Sequence, residues 1–223
     1  MPYTGKHVIW DDNFLAMLAH DMKTPVNAQI RAVNLLYSGV YGEFSQEAKN
    51  LILNIIASNK YLQCLLNNVL GEYRINKERF SLNKTENDLR KTLEEALCNI
   101  GILSEVKGQK ITVNYLTDKF IRIYDEIEIQ RVVINLLSNA FEYAKENSEI
   151  NITVEEEFKK IRVKFKSFSS SFSKEKNERN YERFGAGFGL GFLICDKIIT
   201  AHGGDILREI TEKGDYLVSF SLP

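Results

Sequence analysis

The chain has 223 residues, 44% hydrophobic and 26% charged, with a formal net charge of -1 at pH 7. That length suggests one or two domains of ordinary globular composition, and near-neutral charge excludes a general attraction to nucleic acid or a membrane surface. No apolar run approaches the ~18 residues that span a bilayer and no signal-peptide pattern opens the chain, so a cytoplasmic protein with no membrane segment of its own is expected.

Residues 1–9 read as a lead-in. An amphipathic pattern then begins at Asp11 or Asp12, either of which could cap a helix. Phe14, Leu15, Leu18, Met22, Pro25, Ala28, Ala32, Leu35 and Leu36 mostly recur at steps of three and four, one apolar stripe along a helix. Pro25 is expected to bend it, because the ring clashes with the carbonyl four residues back. Inside this helix stands Ala19-His20-Asp21-Met22-Lys23-Thr24-Pro25. His20 and Thr24 share a face at i and i+4, and Asp21 is close enough to orient the imidazole or accept its proton. An imidazole beside a carboxylate is a plausible phosphoryl acceptor. It is equally the composition of a plain surface helix.

Ser38–Phe44 carries two glycines and ends the helix. Ser45 reads as the N-cap of a second helix whose stripe is Ala48, Leu51, Ile52, Ile55, Ile56, Leu62, Leu65, Leu66, Val69 and Leu70. One antiparallel hairpin has too little core for both stripes, so a homodimer forming a four-helix bundle is expected. Gly71–Thr85 is polar and reads as a connector. A helix over 89–108 follows, then strands at Ile111–Tyr115 and Phe120–Tyr124. A helix over 126–145 leads to alternating strands at Glu149–Glu156 and Ile161–Ser167. The charged run Glu155–Lys160 reads as a solvated turn. A polar stretch runs to Tyr181–Phe184 and the glycine-rich Gly185–Gly191. A helix at Phe192–Ala201 and strands at Asp205–Ile210 and Tyr216–Leu222 complete the chain. Segregated helices and mostly antiparallel strands predict an α+β sandwich with helices on one face of a sheet.

Three cysteines, Cys64, Cys98 and Cys195, lie far apart without metal spacing; reduced thiols in the core are expected. Gly185-Ala186-Gly187-Phe188-Gly189-Leu190-Gly191 opens a helix, where a close-approaching backbone and a positive dipole suit phosphate. No Gly-Lys-Ser/Thr follows and no βαβ unit surrounds it, which excludes a Walker loop and disfavours a dinucleotide fold; a merely flexible loop stays open. Asn135-Leu136-Leu137-Ser138-Asn139 sets two amides on one helix face. Amide oxygens can ligate Mg²⁺, or the two can be polar edge residues.

In this order and spacing, His-Asp-x-x-Thr-Pro on a helical hairpin, Asn-x-x-x-Asn and a glycine-rich loop entering a helix resemble the transmitter region of sensor histidine kinases. That family joins a dimerisation and phosphoacceptor hairpin, here 10–73, to a Bergerat-type ATPase domain, here 84–223, the sandwich also found in gyrase and Hsp90-type proteins. The resemblance extends to Gly39-Val40-Tyr41-Gly42, Arg74-Ile75 and Ala201-His202-Gly203-Gly204. It implies that His20 is the phosphorylated nucleophile, Asp21 its acid/base partner and Thr24 the residue that positions water in a phosphatase reaction. It implies that Asn139, with Asn135, holds Mg²⁺ against the triphosphate of ATP, that Tyr143 flanks the nucleotide, and that Gly187, Gly189 and Gly191 lie near the phosphates. Tyr181–Phe184 matches the segment before the lid, and His202 reads as structural. The implied partner is the receiver domain of a response regulator.

Three departures bear on the nucleotide. The family carries Asp-x-Gly-x-Gly after the strand matching Val163–Lys166, its Asp accepting the adenine amino group; here Ser167, Ser169 and Ser171 stand at those positions, with Phe168 and Phe172 beside them as candidate fillers of the base pocket. Loss of one hydrogen-bond partner costs ~1–3 kcal/mol, roughly 10- to 100-fold. Glu142 stands where the family has a basic residue that contacts phosphate, and its carboxylate would repel the triphosphate unless Mg²⁺ or Lys145 compensates; almost nothing separates Phe184 from Gly185 where a lid would lie. The expected function is therefore phosphorylation of His20 and exchange with an Asp of a response regulator. A nucleotide-poor pseudokinase serving as histidine phosphotransferase or phosphatase adaptor is the alternative, and a helical dimer scaffold without phosphotransfer is a third.

Overall fold

The computed structural model describes residues 12–76, 80–101, 104, 108–168, 189–211 and 215–223. Two helices form the N-terminal hairpin, α1 (Asp12–Tyr37) and α2 (Gln46–Asn76). Ser45 caps α2: its Oγ accepts from the Ala48 N–H at 3.3 Å and its carbonyl from the Lys49 N–H at 2.9 Å. The Glu47 backbone N–H, and after it the Ser45 hydroxyl, lower the pKa of the Glu47 carboxyl. Gly39 and Gly42, both at positive φ, turn the chain between the helices. The two helices zip together along Ala19, Val26, Ile30, Leu62, Leu66, Val69 and Leu70. α1 is assigned as one helix through Pro25.

The remaining chain builds an α+β sandwich, as its patterning predicts. It comprises β1 (Thr85–Asp88), α3 (Leu89–Ile100), β2 (Lys110–Tyr115), β3 (Ile121–Tyr124), α4 (Glu126–Tyr143), β4 (Glu149–Glu157), β5 (Lys160–Phe168), α5 (Gly189–Ala201), β6 (Ile206–Ile210) and β7 (Asp215–Leu222). The main sheet runs β2-β4-β5-β7-β6; β2 and β4 are parallel and the other neighbours antiparallel. β1 and β3 form a separate antiparallel ribbon. Alternation at period two sends Ile150, Ile152 and Val154, with Ile161, Val163 and Phe165, to one buried face of the sheet. The stripe Ile129, Val132, Val133, Leu136, Leu137 and Ala140 of α4 joins them in one core with α3 and α5. Of the charged run only Phe158 and Lys159, both at positive φ, form the tight turn; Glu155–Glu157 finish β4 and Lys160 opens β5, paired across the hairpin rather than in a turn.

Four further local expectations need correction. The helix expected over 89–108 is α3 only as far as Ile100, where the Gly101 N–H closes on the Leu97 carbonyl at 2.8 Å. The connector expected from Gly71 is helical to Asn76, because close packing of Gly71 on the sandwich offsets the roughly 1 kcal/mol penalty of a helical glycine. Its other end, Thr85–Asp88, is β1: pairing with β3 satisfies the backbone, so polar side chains are tolerated. Cys98 is exposed rather than part of the core. Among the described residues no helix is long and apolar enough to cross a membrane.

Candidate active site

His20 stands out from α1 with its side chain 74% exposed, and Asp21 is equally open. His20 Nδ1 lies 3.3 Å from Asp21 Oδ1. With the proton on Nδ1, the imidazole donates to the carboxylate and Nε2 presents its lone pair to solvent. Thr24, one turn on, is exposed as well. Helical periodicity alone therefore brings these three side chains together, while Ala19 and Val26 anchor the same helix to α2.

The second group of residues gathers around α4. Its N-terminus is set by Asp125, whose Oδ1 accepts from the Glu128 N–H at 3.2 Å. His202 locks the end of α5 to this cap: Nδ1–H donates to the Ile198 carbonyl at 2.7 Å and Nε2 accepts from the Asp125 N–H at 3.0 Å. Burial keeps the ring neutral by lowering its pKa. Gly204 follows because a Cβ there would collide with the Ser221 carbonyl oxygen and stand 2.9 Å from Ile199. At the far end of α4, the Gln109 side-chain amide donates to the Phe141 and Ala144 carbonyls at 3.3 and 3.1 Å.

Asn135 is buried, 3% exposed. Its Oδ1 accepts from the Cys64 thiol of α2 at 3.2 Å, and its Nδ2 faces Cys195 Sγ of α5 at 3.7 Å. Asn139, one turn later, is half-buried. Tyr143 is the last residue of α4; Gly189 opens α5 and Gly191 lies in its first turn. Gly187, Ser169, Ser171, Phe172 and Tyr181–Phe184 lie outside the described residues, as do the side chains of Glu142 and Tyr143. Ser167 continues the inward alternation of β5, fully buried, and its Oγ has no partner among the described residues. Phe168, the next residue, is 41% exposed and lies beneath the Lys166 ammonium at 5.1 Å, on the opposite strand face from Ser167. It does not fill the space between sheet and helices.

A helical hairpin bearing an exposed His20–Asp21 pair, joined to an α+β sandwich, is thus present in three dimensions. The family described as histidine kinase-, DNA gyrase B- and HSP90-like ATPase matches residues 124–223. The catalytic domain of histidine kinase ThkA superposes with a TM-score of 0.54 at 29% identity, covering 63% of this chain and 97% of that one. Over its length the chain is similar to the transmitter region of sensor histidine kinases. The sensor protein SrrB of Staphylococcus aureus is 26% identical over 223 aligned residues, which is 95% of this chain. The chain spans 38% of the length of that relative. ThkA in complex with the response regulator protein TrrA shares the fold, with a TM-score of 0.59 at 24% identity over 96% of this chain and 64% of that one.

A Mg²⁺-bound nucleotide, as the family binds, is compatible with these groups. The amides of Asn135 and Asn139 lie one turn apart on α4, α5 opens with glycines, and the orphaned Ser167 hydroxyl is a buried polar atom that a ligand would satisfy. What patterning missed is on α2. Cys64, Asn68 and Gly71 fall at i, i+4 and i+7, a face that interrupts the apolar stripe with small and polar residues. That interruption is the signal for a second packing surface, and this face lies against α4 and α5.

Proposed function

We propose that this chain takes the γ-phosphoryl group of ATP onto His20 and passes it to an aspartate of a response regulator, acting as a homodimer. The observation that carries the reading is the exposed His20–Asp21 pair, with Asp21 bound at Nδ1 and Nε2 left open. Nε2 attacks phosphorus in line with the departing ADP oxygen; Asp21 stabilises the positive charge that develops on the ring. The N–P bond forms as the P–O bond to ADP breaks, and the Nδ1 proton stays shared with Asp21. Mg²⁺, when bound, would neutralise charge on the triphosphate. Asn139 and Asn135 would hold it, with Tyr143 beside the nucleotide and Gly187, Gly189 and Gly191 near the phosphates. Thr24, on the face of His20, would position water for the reverse traffic, hydrolysis of the phosphorylated regulator.

Homodimerisation is supported by the hairpin's uncovered apolar residues, including Leu18, Met22, Leu51, Ile55 and Leu65, each at least 40% exposed. The domain division at 10–73 and 84–223 belongs to the same proposal. A second reading, an adaptor that exchanges phosphate through His20 without its own ATP, is favoured by one observation. Ser167 offers a neutral hydroxyl where the resemblance calls for a carboxylate. Incubation with labelled ATP and Mg²⁺ separates the two. Acid-labile, base-stable label that vanishes in His20→Ala is the expected result. No label, together with transfer onto His20 from a phosphorylated receiver domain, would replace the kinase by the adaptor.

A further inference from the structure

The small ribbon of β1 and β3 has one guarded edge and one open edge. The two strands pair only with each other, so each keeps a free side. The Leu89 N–H donates to the Phe120 carbonyl at 3.1 Å. That bond fixes the alternation of the antiparallel ladder: Arg122 and Tyr124 turn their backbone groups towards β1, and Ile121 and Ile123 turn theirs away from it. Among the described residues no backbone partner meets those outward groups, and the Ile121 carbonyl accepts only from its neighbour's guanidinium, Arg122 Nη1 at 2.8 Å. The side chains on this edge are apolar and open. Ile121 is 53% exposed and Ile123 67%, while Tyr124 next to them is buried; Ile127, in the first turn of α4, is 71% exposed.

Proteins commonly blunt a free strand edge with a charge, a proline or a covering loop, because the unpaired N–H and C=O groups template another strand. β1 follows that practice: it carries Glu86 and Asp88, and Asp88 ends it as the N-cap of α3. β3 carries isoleucines at the facing positions. Charge defines what such an edge would accept. Glu86 and Asp88 stand opposite Ile123 and Ile121 on the same outward face. Asp118 and Glu126 flank β3 in the chain, and both are exposed. Glu86, Asp118 and Glu126 form no ion pair among the described residues, and Lys119, beside Asp118, is neutralised by Glu156 at 2.9 Å. An acidic frame around an apolar edge repels a second copy of that edge, an anionic lipid surface and nucleic acid alike, and attracts lysine and arginine.

We propose that the outer edge of β3 docks an extended segment of a partner protein, with aliphatic side chains set against Ile121 and Ile123 and lysine or arginine on its flanks. The segment adds a third strand to the ribbon. The outward N–H and C=O groups of Ile121 and Ile123 set its register, the isoleucines supply apolar contact, and Glu86, Asp118 and Glu126 select for positive charge. No residue of the candidate active site takes part.

The test uses the full chain and three fluorescein-labelled peptides of equal length, read by fluorescence anisotropy at about 150 mM salt, where charges beyond ~8 Å are screened. One peptide alternates lysine and valine, one alternates glutamate and valine, and one is the basic peptide with its backbone nitrogens methylated along one edge. The basic peptide should bind saturably, and the other two at least about tenfold more weakly, since they lack the charge or the ladder bonds. Ile121→Ser and Ile123→Ser should each weaken the basic peptide about tenfold. Glu86→Lys and Glu126→Lys should each weaken it about threefold, the range of an exposed ion pair. All four side chains are exposed, so urea midpoints should stay unchanged. The methylated peptide, used on the unsubstituted chain, carries the test independently of any loss of fold. Equal binding of the basic and acidic peptides overturns the site, and so does equal binding of the methylated and unmethylated ones. Binding that survives both serine substitutions together, or no saturation by the basic peptide up to about 1 mM, overturns it too. Self-association in sedimentation that Ile121→Ser abolishes would give the edge to a second copy, and phosphatidylglycerol vesicles held through the same isoleucines would give it to a membrane; either result replaces the proposal.

Discussion

Ser167 shows how one atom can divide two functional readings. It continues the run Ile161, Val163 and Phe165 on the inner face of β5, and it is fully buried with a hydroxyl unpaired among the described residues. A buried hydroxyl without a partner costs about 1–3 kcal/mol. Ser167→Ala therefore leaves the free protein equally stable or stabilises it by up to ~1 kcal/mol, read from the urea midpoint. If the hydroxyl serves a bound nucleotide, the same substitution weakens Mg²⁺-ATP binding; unaltered binding would detach Ser167 from the ligand. The serine itself was legible in the sequence, by its place at the end of a strand. That Phe168 turns outward was not, because alternation predicts two faces without saying which one the helices cover.

At the scale of elements, α4 is held at both ends by side chains remote in sequence. Gln109 takes carbonyls at its C-terminus, and His202, from the end of α5, takes the Asp125 N–H at its N-cap. The second bond requires an unprotonated Nε2. Burial, with the Lys84 ammonium adding to it, lowers the His202 pKa below the ordinary value of 6.5. Between that lowered value and 6.5 the unfolded chain binds more protons than the folded one, so stability rises with pH across the window. The contribution is complete above about pH 7 and is lost as pH falls through the folded pKa. Urea midpoints between pH 7.5 and 5 should decline, and His202→Gln should flatten that decline; an unchanged slope would separate His202 from the effect. Periodicity made both helices legible, and the resemblance left His202 as structural, but the partner of its ring depends on a 77-residue contact that no local pattern encodes.

At the scale of the whole molecule, the hairpin is unfinished. One seam, Ala19–Val26–Leu66, is closed within the chain, while Leu51 and Ile55 remain 62% and 42% exposed. Burying each such side chain is worth about 1.5–3 kcal/mol, enough in aggregate to drive association. Sedimentation velocity should therefore find a dimer, and Ile55→Glu with Leu51→Glu should convert it to monomer without loss of helical content. A monomeric parent chain at micromolar concentration would overturn the bundle. The same hairpin also contacts the sandwich through Cys64, Asn68 and Gly71, so α2 serves two neighbours on two faces.

By itself the sequence determined most of the elements, the α+β class and the face on which His20 and Thr24 stand, since these follow from periods of 3.6 and 2 and from local capping. It also brought Asp21 beside His20, because adjacent residues need no tertiary structure to meet. Only the folded chain decided where Asn135 spends its hydrogen bonds, that Cys98 is exposed while Cys195 is buried, and that Gly71 is a packing surface rather than a linker. Those outcomes depend on which helix faces approach, and burial of apolar area, being non-directional, leaves that choice to the fit of side chains far apart in the chain.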